Sequence, residues 1–287
     1  MSTAKPEGRS LSKSISVGLL LGGVFLFTIL TFNGVLFMAF VAAAAGAGAW
    51  ELSTALRLKG WYVPRVPAVV GSVVIMPATY FYGAEAQWLI SIGIVAALII
   101  WRTVHLLWER RVAPIQALQN TLRDYAAAAF LVIYLPLMTS FAILLLRRPA
   151  DGAIWVIAFV VTVSMIDTAG YLVGRKLGKH QMAPGVSPKK SIEGLVASII
   201  AGSISAILFL VFALHAAWWL GLLFAAVMLL AAVFGDLAES LIKRDLGVKD
   251  MSSLLPGHGG VMDRLDSILP AALIAYLFAS IFFPIAQ

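Results

Sequence analysis

The chain contains no cysteine. That excludes a disulfide framework, a thiolate nucleophile and any cysteine-held metal, and it leaves the redox compartment open. Charge is also scarce, at 12% of residues, where soluble domains carry about a quarter. The four histidines, His105, His180, His215 and His258, lie far apart, which argues against a histidine metal centre. No G-x-x-x-x-G-K-[ST] is present, so there is no P-loop. H-E-x-x-H and G-x-S-x-G are missing as well. Neither an internal repeat nor a low-complexity linker is found. What abounds is apolar: 61% of the 287 residues, with a mean hydropathy of +0.95. These values describe a polytopic membrane protein, all-α in class. A net charge of +7 would suggest nucleic acid in a soluble protein. Here basic loops at anionic headgroups account for it, and no nucleic-acid partner is expected.

A bilayer is crossed by about 20 apolar residues in a helix. Nine such runs emerge, at 15–32, 35–50, 66–82, 86–101, 126–146, 152–170, 195–214, 216–234 and 267–284. The first is preceded by Lys5, Arg9 and Lys13, as in a signal peptide, but it is longer than a typical signal core and reads as an uncleaved helix. The second and fourth runs are short. Residues 102–124 mix charge with Leu, Val and Trp, which predicts an interfacial amphipathic segment interrupted at Pro114. With the N-terminus in the cytoplasm and nine alternating helices, every Lys and Arg except Arg147 and Arg148 falls on the cytoplasmic side, as the positive-inside rule requires. The expected organisation is an N-terminal set of membrane helices with the amphipathic segment (1–125), then a C-terminal catalytic region (126–287).

Two predicted cytoplasmic loops, about 171–193 and 236–266, concentrate polar residues, Gly and Pro. Each follows a helix with an acid near its end, Asp167 and Asp236. A carboxylate inside a membrane segment costs about 2.5–3.5 kcal/mol on insertion scales and therefore marks function. In FGDLAESLIKRD (234–245) a continuing helix puts Asp236, Ser240, Lys243 and Arg244 along one side. A carboxylate, a hydroxyl and two cations in a column suit a metal-bound polyphosphate, and oxygen ligands favour Mg²⁺. The bland alternative is a frayed helix end with snorkelling cations. In PGHGGVMDRLD (256–266) the glycines allow backbone N–H groups to converge on an anion, while Asp263 and Asp266 share a face at i, i+3. Arg264 can grip a phosphate through paired donors. Asp266 before Ser267 is also a plausible helix cap. In the first loop, Arg175, Lys176, Lys179, Lys189 and Lys190 form a basic surface, and Ser187-Pro188-Lys189-Lys190 reads as a rigid turn presenting two ammonium groups.

The stretch Ser240–Ser267 closely resembles the signature of the phosphatidate cytidylyltransferases, or CDP-diacylglycerol synthases. The matching residues are Ser240, Lys243-Arg244, Lys249-Asp250, His258-Gly259-Gly260, Asp263-Arg264 and Asp266. A second block is similar too, with Asp167, Tyr171, Gly174-Arg175, Gly178-Lys179 and Ser187 to Gly194. It departs at Ser191-Ile192, where the family has Thr-Trp. The N-terminal helices match only in hydrophobic character and number.

The resemblance implies an integral membrane nucleotidyltransferase that joins CTP and phosphatidic acid into CDP-diacylglycerol and pyrophosphate with Mg²⁺, room being left for a second cation. It also implies a multi-pass protein of a bacterial inner membrane, its site facing the cytoplasm, and allows a homodimer. On this resemblance Asp236 and Asp263 hold a shared metal, and Asp266 supports it or caps the helix. Lys243, Arg244 and Arg264 bind phosphates. Ser240, His258 and the Gly259-Gly260 backbone line the nucleotide site. Lys189 and Lys190 meet triphosphate or lipid headgroup. Asp167 and Arg175 belong to the substrate site or pair with one another, and Glu51 is interfacial. Two rival readings are a CTP-dependent polyprenol or dolichol kinase and a secondary transporter. The transporter predicts interrupted helices in two related halves, whereas polarity here gathers in one half. The spaced D-G…D…D run of the CDP-alcohol phosphotransferases is absent.

Overall fold

The computed structural model of the protein describes residues 11–108, 114–183, 187–248, 250–252 and 259–284. In chain order these form α1 (Leu11–Leu30), α2 (Val35–Leu58), α3 (Arg65–Tyr82), α4 (Ala84–Trp108), α5 (Pro114–Val132), α6 (Met138–Leu146), α7 (Gly152–Leu177), β1 (Gln181–Ala183), β2 (Ser187–Ser191), α8 (Ile192–Leu208), α9 (Trp218–Leu246), α10 (Met262–Leu265) and α11 (Ile268–Phe282). A π-turn at Ile133–Leu137, containing Pro136, joins α5 to α6 in one continuous rod, and a second π-turn, Phe209–Ala213, extends α8. Among the described residues, eight helices are long and apolar enough to cross a membrane. They correspond to the second through ninth apolar runs, and α1 covers the first.

Two expectations about helix ends are corrected. The second and fourth runs are not short: α2 and α4 hold 24 and 25 residues. Nor is 102–124 a separate interfacial segment. Residues 102–108 finish α4, and Pro114 opens α5, a position where its missing N–H costs nothing. The polarity that suggested an interface is internally paired. Arg102 donates to the Asp124 carboxylate at 2.8 Å, with both side chains buried. Asp124 also accepts the Tyr62 N–H at 2.9 Å, and the Arg102 guanidinium lies 4.7 Å from the Tyr62 ring centroid. Charges satisfied this fully can sit inside packed helices.

A third correction concerns Ser187 to Lys190, which form not a turn but β2, antiparallel to β1 with Gln181 opposite Ser191. Two strands make only edges, so Pro188 removes no ladder bond that a central strand would need. Glu193 closes this ribbon onto α8: it accepts the Lys179 and His180 N–H groups at 3.0 and 3.3 Å and meets His180 Nδ1 at 2.7 Å.

Polar contacts sort the helix ends into two groups. At one end Arg147 donates to the Thr79 carbonyl (3.1 Å), and Arg148 donates to Asp151 (2.8 and 2.9 Å) and to the Phe283 carbonyl (2.8 Å). Arg147 thus adds a second donor to a carbonyl in the last turn of α3 that already accepts the Gly83 N–H at 2.9 Å, and Arg148 meets the carbonyl of the residue that follows α11. Burial would raise the Asp151 carboxyl, but the bonds from Arg148 and Trp155 outweigh it and hold the group below the usual carboxylate range. At the other end Lys59 donates to the Asp245 carbonyl, Arg123 to the Gly60 carbonyl, and Lys190 pairs with Asp236. For Lys59, Arg123 and Lys190 on the one hand and Arg147 and Arg148 on the other, this grouping agrees with the partition of basic residues in the sequence.

Candidate active site

α9 carries its polar column because the helix does not stop where its apolar run does. It continues to Leu246 and ends on Gly247, whose φ of 72° is the left-handed conformation common after a helix. Asp236, Glu239 and Lys243 therefore occupy successive turns. Lys243 Nζ donates to Glu239 at 2.7 Å and to Asp263 at 2.8 Å, so one ammonium joins α9 to α10. Glu239, 1% exposed, finds no hydrogen-bond partner at Oε1 among the described residues. Sequence reasoning passed over it, although an i, i+4 Glu–Lys pair is a readable signal.

Four acids meet around this column. Asp266 lies within electrostatic reach of Glu239 and Asp236. Asp167 on α7 is placed near Asp236 and Asp266 and hydrogen-bonds Ser267. Lys190 reaches in from β2 to pair with Asp236, whose side chain stays 35% exposed. The buried Tyr134 hydroxyl, in the π-turn, lies within electrostatic reach of Glu239, Asp266 and Asp236 and finds no hydrogen-bond partner among the described residues. Sequence reading missed Tyr134 too, and nothing local marks it apart from Pro136 two residues on.

Asp263 stands slightly aside. Its carboxylate is met by Lys243, by the Gly260 N–H at 2.6 Å and by the Met251 N–H at 3.2 Å. The partners of Asp263 and Asp236 are therefore separate. Asp266 does not act as the side-chain cap of α11. Ser267 occupies that position, and Asp266 accepts the Ser267 N–H at 2.7 Å because α10 and α11 run on almost without a break. Arg175 donates to Tyr171 one turn back (3.2 Å) and does not pair with Asp167. Ser240 is half-buried on α9, while Arg244 on α9 and Arg264 on α10 are exposed. Lys249 and His258 lie outside the described residues, as does the side chain of Lys189.

The glycine turn has a local cause. Gly259 has φ 80°, and a Cβ there would stand 2.6 Å from Asp263 Oδ2. A Cβ on Gly260 would stand 2.5 Å from Glu51 Oε2. Both glycines thus allow a carboxylate to approach the backbone. Glu51, assigned above to the interface, is instead buried at 3% exposure. It accepts from Ser252 Oγ (2.5 Å), Val261 N (2.9 Å) and Met262 N (2.9 Å).

Mg²⁺ favours hard oxygen donors. Glu239 with an oxygen lacking a donor among the described residues, Asp236 and Asp266 within electrostatic reach of one another, and Asp263 one lysine away fit that requirement chemically. Among the described residues no three of these groups converge closely enough to hold an ion as they stand.

A helical membrane protein with acids and cations gathered at one end of its bundle, beside the exposed Arg244 and Arg264, fits a class: a membrane-embedded enzyme acting on phosphorylated substrates. Comparison narrows it. The cytidylyltransferase family matches residues 12–282, and the chain belongs to that family. Among its relatives, the phosphatidate cytidylyltransferase of Mycobacterium leprae is 38% identical over 276 residues, covering 94% of this chain and 87% of that protein. The protein of the same name from Mycobacterium bovis is 38% identical over 277 residues, 94% and 88% of the two chains. One from Staphylococcus saprophyticus is 37% identical over 121 residues, 42% and 46%.

Proposed function

We propose that this protein transfers the cytidylyl group of CTP to phosphatidic acid, forming CDP-diacylglycerol and releasing pyrophosphate. The observation that carries the reading is the meeting of Asp236, Glu239 and Asp266 with Lys190 and Lys243 at one end of the bundle, in a chain of this family. A phosphatidate oxygen attacks the α-phosphorus of CTP. The new P–O bond forms as the bond to the β-phosphate breaks, and pyrophosphate leaves with the electron pair. Phosphate is already a nucleophile, so the protein's work is to overcome repulsion between two polyanions and to align them. Arg244 and Arg264 face the phosphates, joined by Lys190 and Lys243 as they turn from their carboxylates. Ser240 and the Gly259-Gly260 backbone line the nucleotide side. Asp236 and Asp266, with Asp263 as a third donor, would hold Mg²⁺, which supplies charge neutralisation at the triphosphate.

The purified protein in detergent, given labelled CTP and phosphatidic acid, should yield CDP-lipid and pyrophosphate, and EDTA should stop the reaction. Products of CDP and a phosphorylated lipid would make it a lipid kinase, and turnover unaffected by chelation would remove the metal. ATP in place of CTP should give no product.

The basic end is proposed to face the cytoplasm. With no native cysteine, Lys179→Cys and Ala150→Cys report cleanly. An impermeant thiol reagent added to intact cells should label Ala150→Cys and spare Lys179→Cys. The opposite pattern would invert the topology.

A further inference from the structure

We infer that Glu51, on α2, is a positioning residue for the nucleotide half of the site: it fixes the glycine turn in which Gly259 and Gly260 present their backbone. This rests on the proposed cytidylyl transfer, which places CTP against that turn.

The geometry is specific. One carboxylate, contributed by the N-terminal half of the chain, takes Ser252 on the near side of residues 253–258 and Val261 and Met262 on the far side. Asp263 spans the same interval, accepting Met251 N on one side and Gly260 N on the other. Two acids thus tie Met251 and Ser252 to Gly260, Val261 and Met262. They differ in what balances them. Asp263 has Lys243, whereas the bonds received by Glu51 come from neutral donors: a hydroxyl and two amides. Those amides belong to Val261 and to Met262, which opens α10, and no helical carbonyl reaches either of them. Charge-assisted bonds of this kind are about twice as strong as neutral ones. The absence of a side chain at Gly260 is what admits Glu51 Oε2. Glu51 and Gly260 are therefore complementary parts of one contact, 209 positions apart. A buried membrane carboxylate needs a reason to persist, and holding this turn supplies it.

Glutamine tests the inference with little change in size. With only one acceptor oxygen, Glu51→Gln sets its amide against at least one of the N–H donors. The expected result is a KM for CTP at least about tenfold higher, with KM for phosphatidate within about twofold of wild type. Faster hydrogen exchange at the Val261 and Met262 amides should accompany it. Glu51→Asp, which retains both oxygens on a shorter arm, should restore part of the CTP affinity. A structural fault in the helix bundle would lower turnover without separating the two substrates. Glu51→Gln with native KM for CTP, or with both KM values shifted equally, overturns the assignment. If Glu51→Gln does not accumulate in the membrane, Ser252→Ala decides by removing a single donor. It should raise KM for CTP by about threefold, and an unchanged value overturns the assignment. Wild-type protein is assayed first. No CDP-lipid from wild type refutes the proposed reaction, whereas normal wild-type turnover with an indifferent Glu51→Gln refutes only the role of Glu51.

Discussion

Asp266→Asn and Asp236→Asn should each reduce turnover by about three orders of magnitude or more, since removing a preorganised charge-stabilising group costs on the order of 10²–10³ by itself and both acids are proposed to hold the same cation. The pair should be strongly non-additive, because losing either donor already disables the centre. Asp266→Asn carries a second, opposite effect. Asp266 lies within electrostatic reach of Glu239 and Asp236, and in the absence of a divalent ion these acids repel one another. Replacing one by a neutral amide relieves that repulsion, so in EDTA the variant should melt no lower than wild type. Adding Mg²⁺ should raise the melting temperature of wild type, by the linkage between binding and stability, and should leave Asp266→Asn unmoved. Turnover assays across a Mg²⁺ titration, with thermal unfolding in detergent beside them, read both effects. Near-native activity of Asp266→Asn at low Mg²⁺, or an undiminished Mg²⁺ stabilisation, would remove Asp266 from the metal site.

What the sequence disclosed and what it withheld divide along the length scale of the interactions. The apolar runs were legible because bilayer crossing is a local demand on consecutive residues. The polar column of α9 was legible for the same reason: Asp236, Ser240, Lys243 and Arg244 recur at helical spacing, and the helix does continue through them. The crowded PGHGGVMDRLD stretch stood out against a chain so poor in charge. The ends of α2 and α4 were misjudged because Glu51 and Arg102 look like exits from the membrane until their partners are known. Arg102 finds Asp124 22 positions later, and Glu51 finds Val261 210 positions later. Likewise the Lys190–Asp236 pair links β2 to α9, and no periodicity connects those elements. Glu239 is a different kind of miss: its signal was local, an i, i+4 partner for Lys243, and was overshadowed by the cations beside it.

Lys243→Met should be the most destabilising single change in the site, and the most informative. Its ammonium lies between Glu239, 1% exposed, and Asp263, 8% exposed at the side chain. Met fills similar volume but leaves two carboxylates confronting each other with their shared cation gone. Breaking a buried ion pair from one side costs about 3–5 kcal/mol, because the remaining charge is stranded. The variant should therefore melt well below wild type and turn over at a background rate. Lys243→Arg keeps the charge and should recover most of the stability. Its planar fork cannot reproduce a point contact to two separate oxygens, so recovery of activity should be poor. Stability and catalysis separate in the double change Lys243→Met/Glu239→Gln, which removes one stranded charge. It should regain a large part of the lost melting temperature yet remain inactive, since the cation proposed to meet the triphosphate is still missing. Two results would count against this account. If Lys243→Met unfolds at the wild-type temperature, the ammonium is not the electrostatic link between α9 and α10. If the double variant recovers native turnover, Lys243 serves only to neutralise Glu239, and the phosphate-binding role passes to Arg244 and Arg264.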